Sequence, residues 1–548
     1  MEPGAGAKSR AKRYGRRMRY SGVVKNRRRV LCVFPAYTPS FGTFSHAYKL
    51  MGVTAFMPPQ GLLVISAYLP QAWDVRFIDE NVAPATSADF AWADAVFVSG
   101  MHIQAPQIND IRARAAAAGK VTALGGPSVS GAPELYPAFD YLHLGELGDA
   151  TDRLIAILDA SVARPARQVE LKTEERLPLS DFPTPAYGKS AMGEYLIGTF
   201  QFSSGCPYRC EFCDIPALYG RQPRLKTPEQ LTRELDTIIA LEGHPQVVYF
   251  VDDNFIGNKK ATREMLPHLI AWQKKNHYPL GFACEATLNI AKQTDILALM
   301  REAGFTGIFV GIETPEFDAL VHMKKEHNAT LPMYESIETL NSYGLEVSSG
   351  IILGLDTDTD KTVDRLIDFI ERSQIPMLTI NLLQALPKTP LYDRLKRDNR
   401  IVDDPRLESN VRFLRPYDEV LASWRRAIAY AYAPERVFAR FRHQVDATWV
   451  HKFRPPTAKG RLKAANLKRG LTLFVNSIVR LGILADYRRE FWRVFLYAAR
   501  RGQIEGALGM AFMAHHLIKF TREALAGEQN AGFYSTKARD EEEARRAA

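Results

Sequence analysis

Cys206, Cys210 and Cys213 stand at CxxxCxxC spacing in the run Ser204-Gly-Cys-Pro-Tyr-Arg-Cys-Glu-Phe-Cys-Asp214. A cubane iron–sulfur cluster ordinarily takes one thiolate per iron, so three thiolates on one loop hold three irons and leave the fourth open for a substrate. A zinc site would want a fourth Cys or His nearby, typically in a second CxxC pair, and none follows. A disulfide framework belongs to small, cysteine-dense secreted chains, whereas this chain has five cysteines in 548 residues and no recognisable signal peptide. The remaining two, Cys32 and Cys284, are isolated in sequence, as expected in a reducing cytoplasm.

The loop needs a scaffold, and residues 190 to 405 read as one. Six strand-like runs, Ile197 to Ser203, Val247 to Val251, Leu280 to Cys284, Ile308 to Val310, Val347 to Leu353 and Leu378 to Leu382, are each followed by a helical pattern. Repeated strand–helix units imply a parallel barrel, here a partial (β/α)6 barrel, with chemistry at the C-terminal ends of the strands. Polar groups appear just where the apolar runs stop: the cysteine loop, then Asp252-Asp253-Asn254-Phe255, Glu285, Glu313, Gly354 with Asp356, and Gln384.

Upstream, residues 30 to 160 form a separate α/β pattern. Short apolar runs at Val30 to Phe34, Val75 to Ile78, Ala95 to Val98 and Val121 to Leu124 alternate with helix-length segments such as Gln60 to Leu69 and Gln107 to Ala118. This argues a doubly wound, Rossmann-like parallel sheet. Ligands of such sheets sit at the carboxyl ends of the strands, where this chain places Ser99-Gly100-Met101, Gly125-Gly126-Pro127 and Gly145-Glu146. Glycines there let backbone approach a large planar ligand. A linker rich in Pro, Arg and Glu is expected over 161–189.

The cysteine spacing, with Phe212 before the third cysteine, resembles the radical S-adenosylmethionine (radical SAM) superfamily. The Met57-Pro-Pro-Gln-Gly61 helix start, the Gly125-Gly-Pro127 loop and the Gly145-Glu-Leu-Gly148 exit resemble the cobalamin-binding domain of its cobalamin-dependent class. The runs Phe56-Met-Pro-Pro-Gln-Gly61, Asp79-Glu-Asn81, Tyr249-Phe-Val-Asp-Asp-Asn-Phe255, Cys284-Glu-Ala-Thr-Leu-Asn289 and Gly350-Ile-Ile-Leu-Gly354 are similar to the bacterial hopanoid C-2 methylases. That resemblance covers roughly residues 30 to 525. It implies a 4Fe-4S cluster on Cys206, Cys210 and Cys213, SAM on its open iron, and cobalamin on Ser99, Gly100, Met101, Gly125, Gly126, Pro127, Gly145 and Glu146. For SAM it implies Phe212 against the adenine and the strand carrying Gly350, Ile352 and Gly354 on the nucleoside side. Any of Asp252, Asp253 and Asn254 is left to receive the amino group, and Glu285 and Glu313 to contact ribose, methionine or substrate. The reaction implied is transfer of a methyl group to C-2 of a hopanoid lipid, with a flavodoxin- or ferredoxin-type electron donor. One departure is the absence of Asp-x-His-x-x-Gly, the motif that supplies a histidine to cobalt. His102 and His143 read as ordinary polar residues, and the lower face of cobalt is expected to lack a histidine.

A transfer-RNA methylthiotransferase would suit the positive charge, but that family resembles a two-cluster design with three further cysteines at its N-terminus, and this chain has only Cys32 there. A sibling enzyme acting on C-3 of hopanoids or on a tetrapyrrole shares the motifs. The net charge of +10 is carried by residues 1–29, with eleven Lys or Arg against the single acid Glu2; such an arm either touches nucleic acid or anionic lipid or is a dispensable extension, and no nucleic-acid partner is expected. That stretch is expected to be a disordered basic arm. Beyond residue 405 the pattern turns helical to about 530, with a flexible tail over 531–548. From Lys459 to Glu523 thirteen Lys or Arg face four acids, and Leu471, Phe474, Val475, Ile478 and Leu481 fall at helical spacing. Such a stripe is either core or a peripheral membrane contact. No apolar run reaches the roughly 18 residues that span a bilayer, so the expectation is a cytoplasmic protein, free or peripheral to the inner membrane.

Overall fold

The computed structural model describes residues 20–455 and 464–530, with Ser535 and Lys537. It divides into two compact units. The first comprises the N-terminal residues up to Tyr37, then Met57–Pro207 and Ile215–His244; the second comprises Thr38–Phe56, Tyr208–Asp214 and everything from Pro245.

In the first unit, β1 (Arg29–Phe34), β2 (Asp74–Asp79), β3 (Ala95–Ser99), β4 (Val121–Gly125), β5 (Tyr141–Leu144) and β6 (Val169–Lys172) form one parallel sheet in the order β2-β1-β3-β4-β5-β6. Helices α1 (Gln60–Tyr68), α2 (Ala105–Ala117) and α3 (Asp149–Ala160) pack on it. Two cores result, one on each face: Val30, Cys32 and Phe97 point to Leu62 and Leu154, while Leu31, Val33 and Val98 point to Ile108 and Ile111. Alternate residues of β1 thus feed opposite cores, which is why these strands read as unbroken apolar runs. The strand order reverses beside β1 and β3, so the expected doubly wound fold is present.

Two boundaries are corrected. β6 lies inside the stretch expected to be linker; only Leu171 of Val-Glu-Leu-Lys is buried, the pattern of a polar edge strand. The basic arm ends earlier than residue 29, because the amides of Lys25 and Asn26 donate to the Asp159 carboxylate at 2.9 and 2.8 Å and Arg28 donates to Leu158 and Asp159 carbonyls. Residues 1–19 of that arm lie outside the described residues, as does most of the 531–548 tail. The first unit also holds β7 (Gly198–Phe200), the hairpin of β8 (Ser203–Ser204) with β9 (Arg224–Leu225), and α4 (Pro228–Ala240), which starts with a Thr227 capping box.

In the second unit, β10 (Val247–Phe250), β11 (Gly281–Ala286), β12 (Phe305–Glu313), β13 (Glu346–Leu353) and β14 (Met377–Leu382) lie side by side in chain order, all parallel. Crossover helices are α5 (Lys259–Lys275), α6 (Thr294–Ala303), α7 (Met333–Ser342) and α8 (Thr362–Ser373), with α9 (Pro390–Arg397) after β14. β12 is longer than its apolar run because Gly307 and Gly311 interrupt the hydrophobic signal, and the strand stays paired on both sides through a register shift near each glycine.

The helical C-terminal region is present as expected: α10 (Tyr417–Ala431), α11 (Pro434–Ala447), α12 (Ala464–Ser477), a π-helical turn (Ile478–Leu484), α13 (Arg488–Arg500) and α14 (Ile504–Ala526). It shares the second unit with the barrel strands. Trp424 on α10 is fully buried and donates to the Ile380 carbonyl at 2.8 Å, and Gln444 on α11 donates to Gln374 at 2.9 Å. Thr38–Phe56, expected in the N-terminal domain, instead packs on α14: Phe41 meets Phe520 edge-on at 4.6 Å, and His46 meets Glu523 at 2.9 Å. Burying Phe41 and Phe44 there leaves β1 and α1 behind in the first unit.

Candidate functional site

Each unit gathers part of the expected chemistry at the carboxyl ends of its strands. In the first unit, Gly126 has φ +93°, and a Cβ there would run into the Ser99 hydroxyl; only glycine fits. Ser128 donates to the Gly100 carbonyl at 3.2 Å, Met101 donates to the Gln104 side chain at 2.9 Å, and Gly145 donates to Ser130 at 2.9 Å. Ser99, Gly100, Gly126 and Pro127 are therefore one backbone cradle, with Gly125 and Gly145 at the neighbouring strand ends. Glu146 does not stand free. Its carboxylate is held by Arg224 at 2.6 Å and Arg176 at 3.0 Å, and Arg224 also donates to Ser204 at 3.0 Å. The exit loop after β5 is thereby tied to the stem of the cysteine loop. Two further nitrogens of Arg224, Nε and Nη1, are buried without a hydrogen-bond partner, a donor pair left for a bound group.

His143 bonds through Nε2 to Thr151 at 2.8 Å, and burial lowers its pKa to about 4. It is a neutral core histidine, as expected. His102 sits half-buried in the turn after β3, its pKa also lowered by burial. Cys32 lies in the β1 core, where burial raises its thiol to about 11, and Cys284 is likewise raised by burial on β11. Neither is poised to bind metal.

The three loop cysteines are half-exposed and unbridged. Cys206 donates its amide to Gly220 at 3.2 Å in the first unit; in the second, Cys213 donates to the Cys210 carbonyl at 3.2 Å. Among the described residues no three ligating side chains converge on one metal ion; thiolates that each hold a different iron need not converge.

In the second unit the loop is clamped. Glu211 pairs its backbone with Met323 and Leu391 at 2.9 Å each, and its carboxylate receives Arg394 at 2.7 and 3.0 Å. Arg394 continues to Asp356 at 2.6 Å, which Arg400 also holds. Phe212 lines a small groove with Met323, Leu355, Thr357 and Leu383, which Glu211, His322, Asp356 and Arg394 also line.

Lys325 is the residue that sequence reasoning missed. Its ammonium lies 2.5 Å from Glu313 and 5.5 Å from the Phe212 ring centre. Burial opposes its charge, but Glu313, Cys210 and Cys213 outweigh that and hold its pKa above the ordinary lysine value. Glu313 itself has φ +68°, a strained backbone for a non-glycine residue. A Cβ on Gly311 would come within 2.8 Å of the Lys325 ammonium, and one on Gly350 within 3.7 Å of Glu313. Phe212, Glu313, Lys325 and Gly350 therefore meet. Nothing in spacing marks Lys325, which stands in an unremarkable Lys-Lys pair.

Asp252 is buried, and Asp253 partly so. Asn254 is occupied locally, accepting from Ile256 at 3.3 Å and Thr287 at 3.4 Å. Glu285, near the end of β11, keeps accessible surface beside Asp252, Asp253 and Glu313. Burial, with Asp253, Asp252 and Glu313 adding repulsion, pushes its carboxyl to about 7 against a 3.2 Å hydrogen bond from Tyr249. Gly354, φ +90°, donates to Asp358 at 2.7 Å, where a Cβ would strike the Phe413 ring. Ile352 is half-buried beside it.

The donor sets suit the groups that the resemblance implied: thiols for iron, clustered acids for a cationic amine, and a backbone cradle for a broad ring. Residues 200–370 match the radical SAM superfamily, and 389–530 match a domain of unknown function, DUF4070. The chain is 58% identical over 514 residues, 94% of its length and 97% of the relative's, to the "Hopanoid C-2 methylase" of Rhodopseudomonas palustris (strain TIE-1). Its fold is similar to the cobalamin-dependent S-adenosylmethionine radical enzyme OxsB with aqua-cobalamin and S-adenosylmethionine bound, at TM-score 0.58 and 16% identity, covering 94% of this chain and 82% of that one. It is also similar to the radical S-adenosylmethionine methyltransferase TsrM of Kitasatospora setae with cobalamin and a [4Fe-4S] cluster bound, at TM-score 0.55 and 15% identity, covering 87% and 100%.

Proposed function

Because the chain belongs to the cobalamin-dependent radical SAM methyltransferases, and so works with a [4Fe-4S] cluster, SAM and cobalamin, we propose that it methylates C-2 of hopanoid lipids. Identity of 58% across 94% of this chain and 97% of a protein of that name supports the reading. When bound, these cofactors supply a carbon radical able to take hydrogen from an unactivated C–H bond, together with the methyl group.

The chain's own residues bind and orient. Cys206, Cys210 and Cys213 hold the cluster. The Glu211–Arg394–Asp356 clamp fixes the loop that carries Cys210 and Cys213. Asp252 and Asp253 receive the amino group of SAM, whereas Asn254 serves its own loop. Phe212 and the Gly350–Gly354 strand embrace the nucleoside. Lys325 offsets anionic charge beside the thiolates, with Glu313 holding it in place. Ser99, Gly100, Met101, Gly125, Gly126, Pro127 and Gly145 cradle cobalamin, and Glu146 acts by holding Arg224 and Arg176. Glu285, half-protonated near pH 7, keeps a proton on its carboxyl beside an apolar substrate. A flavodoxin- or ferredoxin-type donor supplies the electron.

Deletion of the coding sequence in a hopanoid producer, followed by lipid mass spectrometry, tests this reading. Loss of 2-methylhopanoids with other hopanoids retained is expected. Unchanged levels with no second copy, or loss of a 3-methyl product instead, overturn it.

A further inference from the structure

We propose that the outer face of the helix running from Ala464 through Leu484 docks on the surface of an anionic lipid bilayer. Leu467, Leu471, Val475, Val479 and Ile483 recur every four residues along it, and all are exposed, from 40% at Val479 to 63% at Leu471, with Leu484 beside them at 72%. In an α-helix a four-residue step drifts slowly round the axis. The chain widens to a π-helical turn at Ile478–Leu484, whose extra residue per turn rotates the row back. One apolar strip results.

The strip is not core left unpacked. The opposite face of the same helix is already anchored: Leu473, Ser477 and Leu481 are buried, and Asn476 donates to the Lys49 and Leu50 carbonyls at 3.1 Å. Of the stripe residues expected from sequence, only Leu481 is buried; Leu471, Phe474 and Val475 face outward. A contiguous exposed apolar patch of this kind marks a binding surface.

Charge selects the partner. Lys468 and Arg480 on this helix, and Arg488, Arg489 and Arg493 on α13, are exposed and form no ion pair among the described residues. α13 lies alongside, with the Phe474 and Phe495 rings 6.4 Å apart and Trp492 donating to Gly482 at 2.9 Å. Apolar side chains rimmed by unpaired Arg and Lys match the boundary between acyl chains and anionic headgroups. A second copy meeting this face about a two-fold axis would set the same cations against each other. Collection of a lipid substrate as the purpose of the contact rests on the hopanoid reading; the contact itself does not.

The test is co-sedimentation of the full-length, cofactor-loaded chain with hopanoid-free vesicles of phosphatidylcholine, with and without phosphatidylglycerol. Binding is expected only with phosphatidylglycerol, weakening as salt rises. Leu471→Glu with Ile483→Glu should lower partitioning by about tenfold or more, with thermal unfolding and bound cobalamin unchanged. Should that pair fail to fold, Arg489→Glu with Arg493→Glu, both at exposed positions, should weaken binding to anionic vesicles alone. Absence of wild-type binding overturns the proposal, as does binding that both variant pairs retain. A dimer by light scattering that Leu471→Glu dissolves, without vesicle binding, assigns the face to a second copy and overturns it too. Vesicle binding without any hopanoid product in the deletion experiment would sink the substrate reading and leave this one standing.

Discussion

Charge at single residues decides how the barrel site behaves. Cys210→Ala should abolish iron loading and methylation while cobalamin uptake persists, because the cradle at Gly126 lies in the other unit; absorption spectra of the purified variant read both. Removing Lys325 strands a buried carboxylate. Lys325→Met should destabilise the chain by about 3 kcal/mol, and adding Glu313→Gln should recover most of it, since an uncompensated buried charge costs more than a missing pair. A denaturant-unfolding double-mutant cycle checks the recovery. Glu285 titrates in the opposite sense from most acids. Its folded pKa, about 7, lies above its unfolded value, so the folded state holds the extra proton. Stability from this group is present below about pH 4.5 and lost as pH rises towards 7. Because the carboxyl keeps accessible surface, the loss is about 1 kcal/mol after solvent screening. Glu285→Gln should flatten the melting temperature across that window, and Tyr249→Phe, which removes a bond favouring the charged form, should move the midpoint upward.

Elements convert these side chains into a site, and here backbone geometry dominates. Gly126→Ala should lower cobalamin loading severalfold, since φ +93° and the Ser99 hydroxyl both exclude a Cβ; equilibrium dialysis of the refolded chain measures it. Strand positions were legible because parallel strands buried on both faces are apolar throughout, as Val30–Phe34 and Ala95–Val98 illustrate. Their polar endpoints, from Asp252 to Gly354, followed from the barrel rule. What escaped lacked a local signal. β6 buries one residue in four, β12 is broken by glycines, and the Glu211–Arg394 clamp joins positions 183 apart. Lys325 has meaning only beside Phe212, Glu313 and the thiols. The cysteine loop was the most legible of all, because its chemistry is written in spacing alone.

At the scale of the molecule, the division into units cuts across the expected domains. The helices after residue 405 follow the barrel in sequence, yet Trp424, Tyr432 and Trp449 are wholly buried in the unit that carries β10 to β14. All three side chains anchor to strand backbone or strand side chains: Trp424 to Ile380, Tyr432 to Leu378, and Trp449 to Glu346 at 2.6 Å. The DUF4070 match therefore covers helices that bond to the barrel strands, and Arg394 near its start grips the cysteine loop. Trp424→Ala should leave a cavity and cost about 3–5 kcal/mol, borne by the second unit. On warming, iron and SAM binding should then fail several degrees before cobalamin is released from the cradle proposed for it at Gly126, whereas the wild type should show a smaller gap. Calorimetry alongside cobalamin absorbance separates the two events. Coincident loss of both cofactors at every temperature would mean that the units unfold together, and that the helical region stabilises the cobalamin cradle as much as the barrel.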